Sequence, residues 1–202
     1  MSEQRRRWND VYTKWPSEQL SWFQAKAELS LEFIDAVQLH RDASIIDVGA
    51  GTSFLVDGLL ARGFADITLL DLSERALETV SRRLEPRSVQ TIAGDVTTWQ
   101  PSRRYALWHD RAAFHFLTEE AQRAAYRDVL TAALAERAHV IIATFAPDGP
   151  ECCSGLAVQR YGVEALAEQF SDLLRLISAR REKHVTPSGA EQPFIYAHFV
   201  RR

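Results

Sequence analysis

The chain has 202 residues, a formal net charge of −3, 46% hydrophobic residues and 25% charged residues. That is enough chain for one domain with a sizeable core, and it excludes a disordered, collagen-like or disulfide-stapled protein. No basic excess marks a dedicated nucleic-acid binder, and no apolar run is long enough to span a membrane. The opening MSEQRRRWNDVYTKW has basic residues without an apolar stretch behind them, so it does not read as a secretory signal. The two cysteines, Cys152 and Cys153, are adjacent, a spacing that disfavours a bridge; free thiols make a cytoplasmic location the expectation.

Residues 1–43 read as an aromatic and helical cap. The run Arg5-Arg6-Arg7 reads as a solvated terminal segment. Trp8, Tyr12, Trp15 and Trp22 make this part dense in aromatic side chains, suited to a hydrophobic lid over the sheet edge or to a flap that closes on a ligand. Ser17 followed by Glu18 predicts a helix start, and Leu20, Phe23, Ala27, Leu31, Ile34 and Leu39 then recur at helical spacing.

From residue 44 strands alternate with helices, the pattern of a mainly parallel sheet covered on both faces. Strand 44–48 breaks at Gly49-Ala50-Gly51, and helix 54–62 follows, ended by Gly63. Strand 67–71 leads through a Ser73 cap into a helix that Pro86 stops. Strands 89–93 and 105–110 come next, then a long helix capped at Thr118 with Glu119 and Glu120 in its first turn. Strand 139–145 is a continuous apolar run and is expected near the centre of the sheet. A short helix at 161–170 precedes strands 174–183 and 194–200, set antiparallel by the hairpin-length tract 184–193. The whole reads as one α/β domain, 1–202, with its core at 44–202.

Open α/β sheets bind ligands beyond the carboxyl ends of their strands, where the strand order reverses. Three strand ends here carry suitable groups. The Gly49-Ala50-Gly51 turn lets a ligand approach the backbone closely. Asp71 lies twenty residues after Gly51 and can accept both hydroxyls of a ribose. Asp95, in Gly94-Asp95-Val96, is placed to accept the exocyclic amino group of an adenine, with Leu72 and Val96 packing on the base. Each signal alone is weak; in order and at one-strand spacing they point to an adenosine-type ligand. A dinucleotide fingerprint would need a third glycine where Phe54 stands, which disfavours a nicotinamide-dependent oxidoreductase.

Asp47-Val48-Gly49-Ala50-Gly51, with Asp71 and Asp95 behind it, resembles the first motifs of class I methyltransferases, which use S-adenosylmethionine. The resemblance runs from residue 44 to the end; Ser53 departs where a further glycine is common, but a small residue suffices there. It implies a Rossmann-like, seven-stranded, mostly parallel sheet with helices on both faces and a C-terminal antiparallel hairpin. It implies S-adenosylmethionine as methyl donor, S-adenosylhomocysteine as product, and no metal. Asp47, Gly49, Ala50, Gly51, Asp71, Leu72, Asp95 and Val96 would hold the cofactor, covered by Trp8, Tyr12 and Trp22. Trp8, Tyr12, Trp22, Phe23 and Gln24 are also similar to the aromatic lead segment of thiopurine and related small-molecule methyltransferases. Stretches 109–117, 144–150 and 153–156 look like a bacterial group related to the citrate synthase and elongation factor lysine methyltransferases. The implied acceptor is a protein lysine or a small molecule, with a lean toward lysine on this resemblance, and neither a membrane nor a nucleic acid.

Methyl transfer is an in-line displacement at a carbon already activated by positive sulfur. The enzyme aligns the nucleophile and excludes water, and a base is required only if the nucleophile arrives protonated. The candidates follow the fourth strand. Asp110 is suited to take a proton from an ammonium or hold it as a counter-charge, and His109 or His115 to act as base near neutrality. His115, between Phe114 and Phe116, reads equally as a core histidine. The fourth strand lacks the Asn- or Asp-Pro-Pro-Tyr of amino-methylating nucleic-acid enzymes, and the chain lacks the Pro-Cys of cytosine carbon-5 enzymes. Cys152-Cys153 is a poor metal site without further ligands and reads as a loop shaping the acceptor pocket. A rival of another class is a non-catalytic adenosine-binding module, which would bind without turnover.

Overall fold

The computed structural model describes residues 2–202. Five strands rich in β-branched and aromatic residues run parallel: β1 (Ile45–Val48), β2 (Ile67–Asp71), β3 (Gln90–Ala93), β4 (Tyr105–Arg111) and β5 (Leu134–Phe145). A two-stranded hairpin, β6 (Cys152–Cys153) and β7 (Leu156–Ala157), stands apart from the sheet. The long β8 (Leu174–Val185) and β9 (Glu191–Arg201) complete a seven-stranded sheet in the order β3-β2-β1-β4-β5-β9-β8. β9 is antiparallel to both β5 and β8, so the C-terminal hairpin forms as expected. The strand order reverses between β1 and β4, and a cavity opens over that point.

Among the described residues six α-helices complete the fold: α1 (Glu3–Lys14), α2 (Glu28–Val37), α3 (Leu55–Ala61), α4 (Glu74–Leu84), α5 (Glu120–Ala133) and α6 (Val163–Glu168). Two apolar cores follow from the two-residue period of the strands. Ile45, Leu69, Leu107 and Ile141 point to one face, where α2, α3 and α4 bury Ile34, Leu59 and Val80. Ile46, Leu70, Trp108 and Ile142 point to the other, against Tyr126 and Leu130 of α5 and Leu166 of α6. β5 is interior, between β4 and β9, and its apolar run is buried on both sides.

Element limits depart from expectation mainly at the N-terminus. The Arg5–Arg7 tract lies inside a helix, α1, whose cap Ser2 accepts from the Arg5 N–H at 3.2 Å. Ser17 opens only a three-residue 3₁₀ turn, Ser17–Gln19, and the next helix waits until Glu28. Leu20 and Ala27 are buried all the same, but from irregular chain, so their helical spacing is fortuitous. α5 is capped by Glu119 rather than Thr118, because Glu119 and Gln122 form a reciprocal capping box. β5 begins at Leu134, five residues before the apolar run, and β8 and β9 extend into tract 184–193, which leaves a shorter turn.

The second core is fixed by a chain of polar contacts. Trp108 Nε1 donates to Tyr126 Oη at 2.9 Å, and Tyr126 Oη donates to Asp110 Oδ2 at 2.8 Å, with all three residues fully buried. Tyr126→Phe keeps the ring and removes both bonds. We expect a loss of about 1–3 kcal/mol per orphaned group, measured by urea unfolding; an unchanged midpoint would show that the chain contributes nothing to stability.

Candidate active site

The carboxyl ends of β1 to β4 surround a cavity of about 290 Å³. Its floor is Val48, Gly49, Leu70 and Asp71; one wall is Leu72, Asp95 and Val96; the opposite wall is Arg111, Ala112, Ala113 and Phe116. Trp8, Tyr12 and Trp22 close it from the N-terminal side, and Cys153, Leu156 and Ala157 of the small hairpin close it from another.

The turn after β1 depends on its glycines. Gly49 and Gly51 have φ of 66° and 52°, in the left-handed region that disfavours side chains. A Cβ on Gly49 would stand 2.6 Å from the Ala113 Cβ, and one on Gly51 would stand 2.4 Å from Tyr12 Oη. The bare backbone therefore lets the turn after β4 and the first helix come down onto it. Gly51 N donates to Asp71 Oδ2 at 2.8 Å, and Ser73 N donates to Asp71 Oδ1 at 2.7 Å. Burial pushes the Asp71 carboxyl up to about 6, against the opposing pull of those two N–H groups. Asp95 Oδ1 accepts from Thr97 N at 2.8 Å and Thr97 Oγ1 at 2.7 Å, which anchors its side chain at the end of β3.

α1 is a roof tied at both sides. Arg5 donates to the Ala93 carbonyl at 2.6 Å at the end of β3, and Asn9 Oδ1 accepts from Ser73 Oγ at 2.8 Å at the start of α4. On the far side, Arg7 donates to the Ser154 carbonyl between β6 and β7. Trp8 packs edge-on against Trp22 and Phe116, with ring centroids 5.8 and 5.3 Å apart, so the aromatic residues line the underside of the roof.

The structure divides the sequence-derived residues into two groups. Trp8, Tyr12, Trp22, Gly49, Asp71, Leu72, Asp95 and Val96 meet in the large cavity. Asp47, Ala50 and Gly51 instead line a neighbouring cavity of about 50 Å³, with His109. The three candidate bases do not face the large cavity. His109 sits opposite Asp47 in the β1–β4 register, and both point to the α2 face. Its Nδ1 lies 2.7 Å from Asp47 Oδ1 and its Nε2 lies 2.9 Å from Ser30 Oγ, all three residues being buried. Asp110, one residue on, points to the α5 face and accepts from Ala113 N, Phe114 N and Tyr126 Oη. His115 is fully buried among Phe116, Phe145 and Phe194, and burial pushes it down to about 3, so it stays neutral.

Sequence reasoning passed over Arg111, Phe116 and Ser30. Arg111 ends β4, and a strand's last residue is the first whose neighbours leave room for a cavity; that position was the available signal. Ser30 had no signal, because its partner His109 is distant in sequence. Cys153 is buried at the cavity wall, its thiol pushed up to about 11 by burial, while Cys152 is exposed. The hairpin that carries them thus shapes the cavity.

Asp110 has a consequence for stability. Burial raises its carboxyl from 3.8 to about 6, against its hydrogen bonds. Between these values the folded chain binds more protons than the unfolded chain, so this group's contribution falls as pH rises through the window and is level above it. Asp110→Asn removes that dependence. Its stability relative to the parent should improve by up to about 3 kcal/mol between roughly pH 4 and pH 6, read by urea unfolding at a series of pH values. The Asp71 shift is common to both proteins and cancels; parallel curves would remove the shift from Asp110.

Residues 45–142 match the methyltransferase domain family. No curated protein matches the sequence. Solved structures are similar over nearly the whole chain. A methyltransferase of Anabaena variabilis, described as S-adenosylmethionine-dependent, superposes with a TM-score of 0.76 at 15% identity, over 98% of this chain and 93% of that one. The 1,6-didemethyltoxoflavin-N1-methyltransferase of Burkholderia thailandensis, solved with 1,6-didemethyltoxoflavin and S-adenosylhomocysteine, gives 0.70 at 20% identity, over 95% and 81%. An N-methyltransferase of Bradyrhizobium japonicum, solved with S-adenosylhomocysteine, gives 0.71 at 13% identity, over 96% and 98%. The fold is therefore the Rossmann-like methyltransferase fold, and with a methyltransferase domain at its centre the chain is an enzyme, a methyltransferase.

Proposed function

We propose that the chain, acting as one domain over residues 1–202, is an S-adenosylmethionine-dependent methyltransferase whose acceptor is a small molecule. The observation that carries this reading is the cavity itself. It has acids at two adjacent strand ends, apolar walls between them, and an aromatic roof tied down on both sides. The S-adenosylhomocysteine bound in three of the similar structures supports the cofactor.

The residues present fit that group. Each Asp71 oxygen accepts one backbone N–H and keeps a second lone pair, so the carboxylate can accept a pair of ribose hydroxyls without losing its anchors. Leu72 and Val96 offer apolar surface for an adenine, with Asp95 beside them for its amino group. Gly49 presents backbone to the remainder, and Trp8, Tyr12 and Trp22 exclude water. When bound, the cofactor supplies a methyl carbon already activated by positive sulfur. Asp110, His109 and His115 have other work in this reading. Asp110 holds the turn that carries Ala113, and the Asp47–His109–Ser30 chain pins the end of β1 to α2.

A small acceptor is favoured over a protein lysine because α1 covers the cavity and is tethered at the ends of β3 and of the small hairpin. A folded protein substrate would need an open channel. Similar structures described as acting on didemethyltoxoflavin and on a glycopeptide support acceptors of this size.

Two measurements test the reading. Asp71→Ala should still unfold cooperatively, at a lower temperature because the Gly51 and Ser73 N–H groups lose their acceptor, and should lose S-adenosylhomocysteine binding by tenfold or more, about the worth of a charge-assisted hydrogen bond. Calorimetric binding equal to the parent's would move the cofactor elsewhere. Methyl-labelled S-adenosylmethionine incubated with a dialysed bacterial lysate and with its small-molecule filtrate should put label into the filtrate. Label confined to a protein band would establish a protein acceptor, and binding without transfer to either would favour the non-catalytic module.

A further inference from the structure

The reactive end of the cavity has an unusual charge pattern. The titratable side chains lining the cavity are Tyr12, Asp71, Asp95, Arg111 and Cys153. The two acids stand at the ends of β2 and β3, on the wall read above as the adenosine side. On the wall formed by the end of β4 and the small hairpin, burial holds the Cys153 thiol in its neutral form. Arg111 is the only full charge there among the described residues.

Arg111 is nine-tenths buried, its side chain 10% exposed. Its plane lies over the Phe194 ring, 4.4 Å from the centroid. Nε donates to Tyr196 Oη at 2.9 Å and Nη1 to the Trp22 carbonyl at 3.3 Å. Nη2 has no hydrogen-bond partner; Glu182 Oε2 stands 3.6 Å away, too far for a bond, while Glu182 Oε1 accepts from Gln24. A guanidinium has five N–H groups, so this one keeps donors beyond those that the protein uses. Glu182 is behind it on β8 and does not line the cavity. The other titratable groups around Arg111, namely His115, His184 and Tyr196, are all held toward their neutral forms by burial.

We infer that Arg111 is the acceptor-recognition residue, and that the acceptor enters as an anion: a phenolate, enolate, thiolate or deprotonated heterocyclic N–H. The inference rests on the methyltransferase reading of this cavity. It follows from two facts together. No group on this wall can take a proton, so the nucleophile must arrive with its lone pair free. A buried guanidinium favours a negative acceptor and disfavours an ammonium, which an alkylamine such as a lysine is at neutral pH. The step balances without a protein base. The acceptor's lone pair forms the bond to the methyl carbon, the sulfur–methyl bond breaks with its electrons returning to sulfur, and one negative and one positive charge cancel.

Equilibrium dialysis with three probes of one shape tests this: para-nitrophenolate, neutral para-nitrotoluene and cationic para-nitrobenzylammonium, with and without S-adenosylhomocysteine. The parent should bind the phenolate about tenfold or more tighter than nitrotoluene and the ammonium weakest, the scale of one buried charge contact. Arg111→Gln should abolish the ranking while S-adenosylhomocysteine binding stays within about twofold. Glu182→Gln, which frees Arg111 of its counter-charge, should raise phenolate affinity severalfold; this variant keeps the test open if Arg111→Gln does not fold. No preference in the parent, no binding of any probe, a preference that survives Arg111→Gln, or no gain in Glu182→Gln would each overturn the inference. A phenolate preference that depends on Arg111 in a protein that binds no S-adenosylhomocysteine would overturn the cofactor reading alone.

Discussion

A sheet covered on both faces leaves its central strands, β1, β2 and β4, almost no solvent-facing side. Side chains along β1 and β4 alternate between two buried faces, so the polar groups within these strands have to find partners there. Asp47 and His109 do so with Ser30 on the α2 face, and Asp110 does so with Tyr126 and Trp108 on the α5 face. Only residues at or past the strand ends escape this demand. The cavity is accordingly lined by strand-end residues and by the turns that follow them: Gly49, Asp71, Leu72, Asp95, Arg111 and Ala113. The division between groups that hold the fold and groups that face a ligand follows from this alternation.

The roof obeys a different logic. α1 is mostly polar and has no buried residue of its own, so apolar burial alone does not dock it. It is held by Arg5, Arg7 and Asn9 reaching to the end of β3, the small hairpin and the start of α4, and by the contact of Trp8 with Trp22 and Phe116. Contacts of this kind contribute about a kcal/mol each and are open to water at their edges. Tyr12 over Gly51 couples the roof to the glycine turn, so the turn's shape and the closure of the cavity are one feature.

Charge is distributed along the cavity as well. Two carboxyl groups stand at one side and a guanidinium at the other, separated by apolar and aromatic walls. The acids are anchored by backbone N–H groups and a threonine hydroxyl, and Arg111 by a phenol and a carbonyl; each is therefore fixed before any ligand arrives. Fixed groups of opposite sign at the two ends orient whatever enters, which a static apolar pocket would not do.

Much of this was legible in the chain. The alternation of apolar strands and helices, the glycines after the first strand and the acids after the second and third depend on local periodicity and turn chemistry, and these place the strands along the chain and the acids at their ends, while the order of the strands in the sheet is set by tertiary pairing. Where tertiary contacts decide, local signals mislead. Ser17 caps only a short turn, and α1 shows so few apolar positions, Trp8, Val11 and Tyr12, among polar ones that its helix does not stand out from the aromatic density around it. Asp110, His109 and His115 have the right chemistry for a base, and which face each one points to depends on the neighbour across the sheet. His109 meets Asp47 and Ser30 from separate elements, and Arg111 gains its exposure to the cavity from the end of β4 and its support from β8 and β9. The strand segments, the glycine turn and the acids can be read from the chain, because each is set by residues near one another in sequence. Which charged groups are buried as supports and which line the cavity is settled by the tertiary structure, because burial and pairing are properties of neighbours distant in sequence.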